Sequence, residues 1–101
     1  MPSVALQISP DHPAFAGHFP GQPLLPGVVL LAEVLEAVLD DPALAQLVGT
    51  APRVAAAKFL APVRPGASLA IQLEPGPRGG VRFEVREGER IAASGQFEAS
   101  E

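Results

Sequence analysis

A single histidine stands before a stiff loop that leads directly into an apolar segment. His18 is followed, within residues 18–28, by three prolines and two glycines. Proline fixes φ and glycine adopts conformations that other residues avoid, so this loop should hold one specific shape. A neutral imidazole at the start of a helix is suited to removing a proton from a bound substrate as a general base. A histidine that only hydrogen-bonds to its own loop is the alternative, and the residue types alone leave both open.

Few other side chains are suited to chemistry. Glu33 and Glu36 lie three positions apart on the predicted helix, where they form a polar edge that either faces solvent or brings a carboxylate to a site. Asp11, His12 and His18 are candidates for a metal site, but two histidines without helical spacing do not favour one. The chain has no cysteine, which excludes thiolate catalysis and disulfides. We therefore expect no metal and no cofactor.

The elements that must position these residues follow from hydrophobic spacing. Residues 28–39 predict a helix that is apolar on all sides over its first turns, which indicates that those turns are buried. A short second helix is predicted over residues 43–48. Alternation of apolar and polar residues predicts strands over residues 4–8, 68–74 and 81–86, and residues 53–60 and 91–99 are also assigned as strands. This order predicts an α+β fold in which an antiparallel sheet wraps one long buried helix.

Length and charge restrict the class of protein. The 101 residues predict one domain, spanning residues 1–101, with a small core that association with a second chain would enlarge. The net charge of −4 gives no electrostatic support for binding nucleic acid. The longest apolar run, residues 28–32, is too short to cross a membrane, and the first residues lack the pattern of a signal peptide. We expect a cytoplasmic protein that binds neither nucleic acid nor membrane.

Two blocks of residues resemble one known family. Residues 18–28 read His-Phe-Pro-Gly-Gln-Pro-Leu-Leu-Pro-Gly-Val, and the block beginning at Lys58 reads Lys-Phe-x-x-Pro-Val-x-Pro-Gly. Both resemble the signature blocks of the hot-dog-fold 3-hydroxyacyl-[acyl carrier protein] dehydratases, in the same order. The resemblance covers nearly the whole chain and is closest to compact dehydratase-like proteins of fatty-acid, polyketide and polyene-type pathways. It implies a hot-dog fold, in which a curved antiparallel sheet wraps a long central helix.

The resemblance also implies roles for individual residues. His18 would remove the C2 proton of the substrate, and the backbone N–H of Gly27 would stabilise the negative charge that develops on the thioester oxygen. The family carries an Asp or Glu fourteen positions after its histidine, and here that position is Ala32. Glu36, one helical turn further on nearly the same face, is the carboxylate that would take this catalytic role. Four residues around these groups would contact the substrate: Phe19, Gly27, Val28 and Ala32.

The activity that the resemblance implies is a lyase reaction. It is the dehydration of 3-hydroxyacyl thioesters, carried by an acyl carrier protein or by CoA, to 2-enoyl thioesters. The family pattern implies a homodimer or higher oligomer whose sites combine the histidine of one chain with the helix of the other. Four arginines near the last hairpin either dock an acidic carrier or form ordinary ion pairs: Arg78, Arg82, Arg86 and Arg90. Because Ala32 carries no acid, the alternative function is a non-catalytic homologue that binds acyl chains or partners an active dehydratase subunit.

Overall fold

The computed structural model describes residues 3–13 and 24–100. Within these residues, five strands and two helices follow one another along the chain: β1 (Ser3–Gln7), α1 (Gly27–Leu39), α2 (Pro42–Val48), β2 (Pro52–Phe59), β3 (Ser68–Pro75), β4 (Val81–Glu87) and β5 (Arg90–Ala99). Every strand and helix expected from hydrophobic spacing is present, and the predicted α+β class is confirmed.

The strands form one antiparallel sheet in the order β1-β3-β4-β5-β2. The central strands β4 and β5 are joined by a tight turn in which Gly88 has a φ of 62°, a conformation that glycine adopts without steric cost. In the chain, both helices lie between β1 and β2, and these two strands form opposite edges of the sheet. After α1 and α2, the chain therefore re-enters the sheet at the β2 edge, opposite β1.

The core lies between one face of the sheet and the helices. Every second residue is buried along β3 and over the first five residues of β4, as expected for strands with one covered face. These residues form a single buried cluster with part of β5 and one side of α1 and α2: Leu69, Ile71, Leu73, Val81, Phe83, Val85, Phe97, Leu30, Val34, Val38, Leu44 and Val48. Within the cluster the rings of Phe83 and Phe97 lie with their centroids 5.2 Å apart, a normal separation for an aromatic pair.

The break between the two helices has a local cause. Asp41 accepts hydrogen bonds from the N–H groups of Ala43 and Leu44, at 3.0 and 3.2 Å, so its side chain caps the start of α2. Pro42 occupies the first position of α2, where a missing N–H costs nothing. The chain therefore ends α1 after Leu39 and begins a new helix within three residues.

Helix α1 is buried on one face only, which corrects the expectation that its first turns are covered all round. Its buried residues, Leu30, Val34 and Val38, recur every four positions. Val28 is 74% exposed in the single chain, and Ala32 is exposed as well. One sheet can cover only one side of a helix. The apolar residues on the other side were misassigned because the run from residue 28 to residue 32 contains no polar residue to mark the outer face.

Candidate active site

At the start of α1, two backbone N–H groups have no acceptor within residues 3–13 and 24–100. The N–H groups of Val29 and Leu30 both donate to the carbonyl oxygen of Pro26, at 3.0 and 3.1 Å. Among the described residues, nothing accepts a hydrogen bond from the N–H of Gly27 or of Val28. The first N–H groups of a helix have no partner within the helix and carry partial positive charge. This end of α1 is therefore suited to binding a carbonyl oxygen that gains negative charge.

An apolar cavity of about 460 Å³, open to solvent on one side, lies beside this helix start. Its described lining carries no charged side chain and includes Leu25, Leu30 and Val63, which are at most 8% exposed and belong to the core. The N–H of Leu25 donates to the carbonyl oxygen of Val63 at 2.8 Å, so the segment before α1 is fixed to the loop after β2. The cavity thus has a buried apolar floor, with Gly27 of α1 also among its lining residues.

Phe59, at the end of β2, forms one wall of the cavity, and its ring lies against the first residue of α1. A Cβ built on Gly27 would be 2.7 Å from Cζ of the Phe59 ring, which is closer than real Cβ contacts. Only glycine therefore allows the ring to rest against the first residue of the helix. The ring is 52% exposed, and the neighbouring Leu60, which also lines the cavity, is 59% exposed.

The described structure brings together only some of the residues expected at a site. His18 and Phe19 lie outside the described residues, so their roles stay predictions. Gly27 lines the cavity, as its expected role requires. Val28 and Ala32 are exposed and are not among the described residues that line the cavity. In a single chain, the cavity and this pair of residues therefore belong to different surfaces.

Glu36 shares its exposed face of α1 with Ala32. The two are four positions apart, which on a helix means the same side and an axial offset of about 6 Å. Neither residue is in the described lining of the cavity. In the single chain, the carboxylate of Glu36 and the cavity are therefore not part of one described site.

Glu33, the other acidic residue of this helix, lies close to a histidine of the same chain. Its carboxylate lies 3.8 Å from Nε2 of His12, with both side chains about one-third exposed or less. This contact joins the loop after β1 to α1, so Glu33 has a structural partner. In residues 3–13 and 24–100, no group of three or more His, Asp or Glu side chains is arranged to hold a metal ion.

The arginines of the β4–β5 hairpin are largely paired within the chain. Arg86 donates to Glu84 at 2.6 Å, and Arg90 donates to Glu87 at 2.8 Å. Arg82 is exposed and lies across from Gln96 on the polar face of the sheet. Ion pairing therefore accounts for two of the four arginines that were considered for carrier docking.

Sequence reasoning did not predict the role of Phe59, Leu60 and Val63 in the cavity. The signal that could have found them was the block beginning at Lys58, which was used for recognition but not assigned to a site. These residues are far from Gly27 in the chain, and only the return of β2 along the sheet edge brings them together.

Neither helix within the described residues is long and apolar enough to cross a membrane.

Comparison with curated proteins points to dehydratases. A family model described as ApeI dehydratase, ApeI-like, matches residues 2–96. A 3-hydroxyacyl-[acyl-carrier-protein] dehydratase FabZ of Symbiobacterium thermophilum is 37% identical over 71 residues, which is 66% of this chain and 50% of that protein. The FabZ of Pelotomaculum thermopropionicum is 32% identical over 98 residues, 89% of this chain and 70% of that protein. The chain thus spans about half the length of the first of these relatives.

Comparison with solved structures gives the same family. The dehydratase heterocomplex ApeI:P from Xenorhabdus doucetiae contains a chain that matches with a TM-score of 0.76 at 25% sequence identity. The match covers 95% of this chain and 83% of that chain, so the predicted hot-dog fold is confirmed. With a family match along nearly the whole chain and this fold, the resemblance of the two sequence blocks is confirmed as well: the chain belongs to the ApeI-like dehydratases, hot-dog-fold proteins related to FabZ.

Proposed function

We propose that this chain catalyses the dehydration of 3-hydroxyacyl thioesters to 2-enoyl thioesters, in fatty-acid, polyketide or polyene-type synthesis. The observation that carries the proposal is the apolar cavity beside the N–H of Gly27, which has no acceptor among the described residues, in a chain of the dehydratase family. An acyl chain can occupy the cavity while its thioester oxygen accepts a hydrogen bond at the helix start. The acyl group is carried by an acyl carrier protein or by CoA, and the location is the cytoplasm.

The reaction needs one base and one acid. His18 removes the C2 proton, and the electron pair moves onto the thioester oxygen, which the Gly27 N–H stabilises. As the electrons return, the double bond forms between C2 and C3, and the C3 hydroxyl leaves with a proton as water. Ala32 can give no proton, so Glu36 supplies it. After product release, proton exchange with water restores the two groups.

Two chains are needed for this arrangement, and β2 offers the contact surface. β2 is an edge strand, and its apolar residues Val54 and Phe59 are 45% and 52% exposed. Unpaired edge strands with apolar side chains are suited to pairing with another chain. Pairing of two β2 strands in a homodimer would continue the sheet, cover these residues, and bring the exposed face of α1, with Glu36, to the cavity of the other chain.

A direct assay tests this function. The purified chain is incubated with a 3-hydroxyacyl thioester on an acyl carrier protein, and in parallel on CoA, and formation of the 2-enoyl product is followed. We expect turnover in the wild type and a loss of about 10²-fold or more in His18→Ala and in Glu36→Gln, because each removes one proton-transfer group. Turnover that is unaffected by His18→Ala would refute the assignment of the base.

The second candidate is a subunit without its own activity, and the methyl group at Ala32 is the observation that favours it. A related dehydratase chain has been solved in a heterocomplex. By analogy, this chain would bind the acyl group while a second hot-dog chain supplies the acid. No product from the pure chain, followed by product after addition of a dehydratase subunit from the same genome, would support this alternative.

A further inference from the structure

We propose that Phe59 sets the length of the acyl chain that this protein accepts, and that the substrates are medium-chain acyl thioesters. The inference rests on the proposed function, because it assumes that the cavity beside Gly27 holds the acyl group. It assigns to Phe59 a specificity role and not a catalytic one, since the ring carries no group that transfers a proton. Its starting point is the contact between the ring and Gly27.

The position of the ring makes it a limiting wall. The opposite side of the cavity is formed by Leu25, Leu30 and Val63, which are part of the core and cannot move aside without opening it. Phe59 is different, because it is 52% exposed and packs against a residue that has no side chain. Among the described lining residues, the ring is thus a large group that bounds the cavity on the β2 side and can be shortened without opening the core.

The size of the cavity indicates the class of acyl chain. A dry cavity of about 150 Å³ holds benzene, with its six carbons. The cavity of about 460 Å³ is roughly three times larger and has room for about eighteen carbons, so if the thioester end and its linker fill about half of it, the remainder suits an acyl chain of about eight to ten carbons. Because the described lining carries no charged side chain, each methylene buried in the cavity raises the affinity. This gain ends where the acyl chain reaches the ring of Phe59.

Binding of saturated acyl-pantetheine thioesters tests the inference without any reaction. Each buried methylene contributes about fourfold in affinity. For the wild type we expect affinity to rise from a 4-carbon to an 8-carbon chain and to change little from 8 to 12 carbons. In Phe59→Ala the rise should continue, giving at least about tenfold tighter binding of the 12-carbon than of the 8-carbon thioester. Phe59→Leu should lie between the two.

The controls separate this inference from the proposed function. Val4→Ala shortens an apolar residue of similar exposure on the opposite edge strand, and it should keep the wild-type ratio of affinities. Thermal unfolding checks that each variant is folded, and Phe59→Leu serves if Phe59→Ala is not. Equal ratios in the wild type and both Phe59 variants would overturn the inference, as would affinity that does not depend on chain length. Saturated thioesters cannot be dehydrated, so chain-length-dependent binding without turnover of the 3-hydroxyacyl substrate would refute the dehydratase function alone.

Discussion

The ring of Phe59 occupies the place that a side chain at position 27 would fill. A Cβ on Gly27 would lie 2.7 Å from Cζ and 2.9 Å from Cε1 of that ring. The contact joins the edge strand β2 to the first residue of α1, where the N–H groups lack acceptors among the described residues. This one contact therefore joins the proposed oxyanion donor, the N–H of Gly27, to a residue that lines the apolar cavity.

Gly27→Ala should be less favourable in the wild type than in the Phe59→Ala variant. With the ring present, the added methyl must push the half-exposed ring aside, and the packing that is lost opposes the gain from the helix propensity of alanine. Without the ring, alanine in a helix should gain up to about 1 kcal/mol over glycine. Urea unfolding of the four proteins of this double-mutant cycle measures the difference. An equal change in the free energy of unfolding in both backgrounds would show that the ring does not rest on residue 27 in solution.

Gly95→Ala should be more damaging than Gly27→Ala. A Cβ on Gly95 would collide with the carbonyl oxygen of Ala56 on the neighbouring strand and would lie 2.7 Å from the ring of the buried Phe83. Neither group can swing into solvent, unlike the half-exposed ring of Phe59. We expect a loss of about 3 kcal/mol or more in the free energy of unfolding. Urea unfolding of both variants under the same conditions shows which substitution lowers the free energy of unfolding more.

Local patterns in the sequence were sufficient for the elements of the fold. Strand β3 alternates Leu69, Ile71 and Leu73 with polar or small residues, so its limits and its buried face follow from a period of two. The pairing of β2 with β5, and not with β3, has no comparable local signal. It depends on how α1 and α2 carry the chain across the sheet.

The site was predictable only where a motif marked it. Gly27 was assigned to a site because it lies within a recognisable block, and the structure places it among the residues that line the cavity. Phe59 was missed as a site residue because its contact with Gly27 depends on tertiary structure. The outward position of Val28 was also missed, since a continuous apolar run gives no sign of which side faces the sheet.

Val54→Arg should convert a dimer into a monomer, whereas Val4→Arg should not. Val54 is 45% exposed on β2, and Val4 is 37% exposed on β1 at the other edge. A pair of arginines facing each other across a two-fold β2 contact would repel and would be costly to bury. Light scattering after gel filtration measures the mass of each variant. A wild type that is monomeric at micromolar concentration would contradict the proposed dimer.

Ala32→Glu should raise turnover if an acid at this position is what the site lacks. A positioned proton donor contributes about 10²–10⁴-fold, and Glu36 is displaced along the helix by about 6 Å from Ala32. We expect an increase of at least about tenfold, because the new carboxylate recovers part of that contribution. Ala32→Gln has the same shape without the acid and should give no increase. Equal rates in the two variants would show that position 32 is not where a proton is delivered.

The central claim is that one chain gives the base and the other the acid, and mixing two inactive variants tests it most directly. His18→Ala and Glu36→Gln are co-expressed with different tags, and turnover of a 3-hydroxyacyl thioester is measured in the mixed dimer. One of its two sites then contains His18 of one chain and Glu36 of the other. We predict about half the wild-type rate in the purified mixed dimer, while each variant alone has about 1% or less. Mixed dimers that are as inactive as the two single variants would contradict the account.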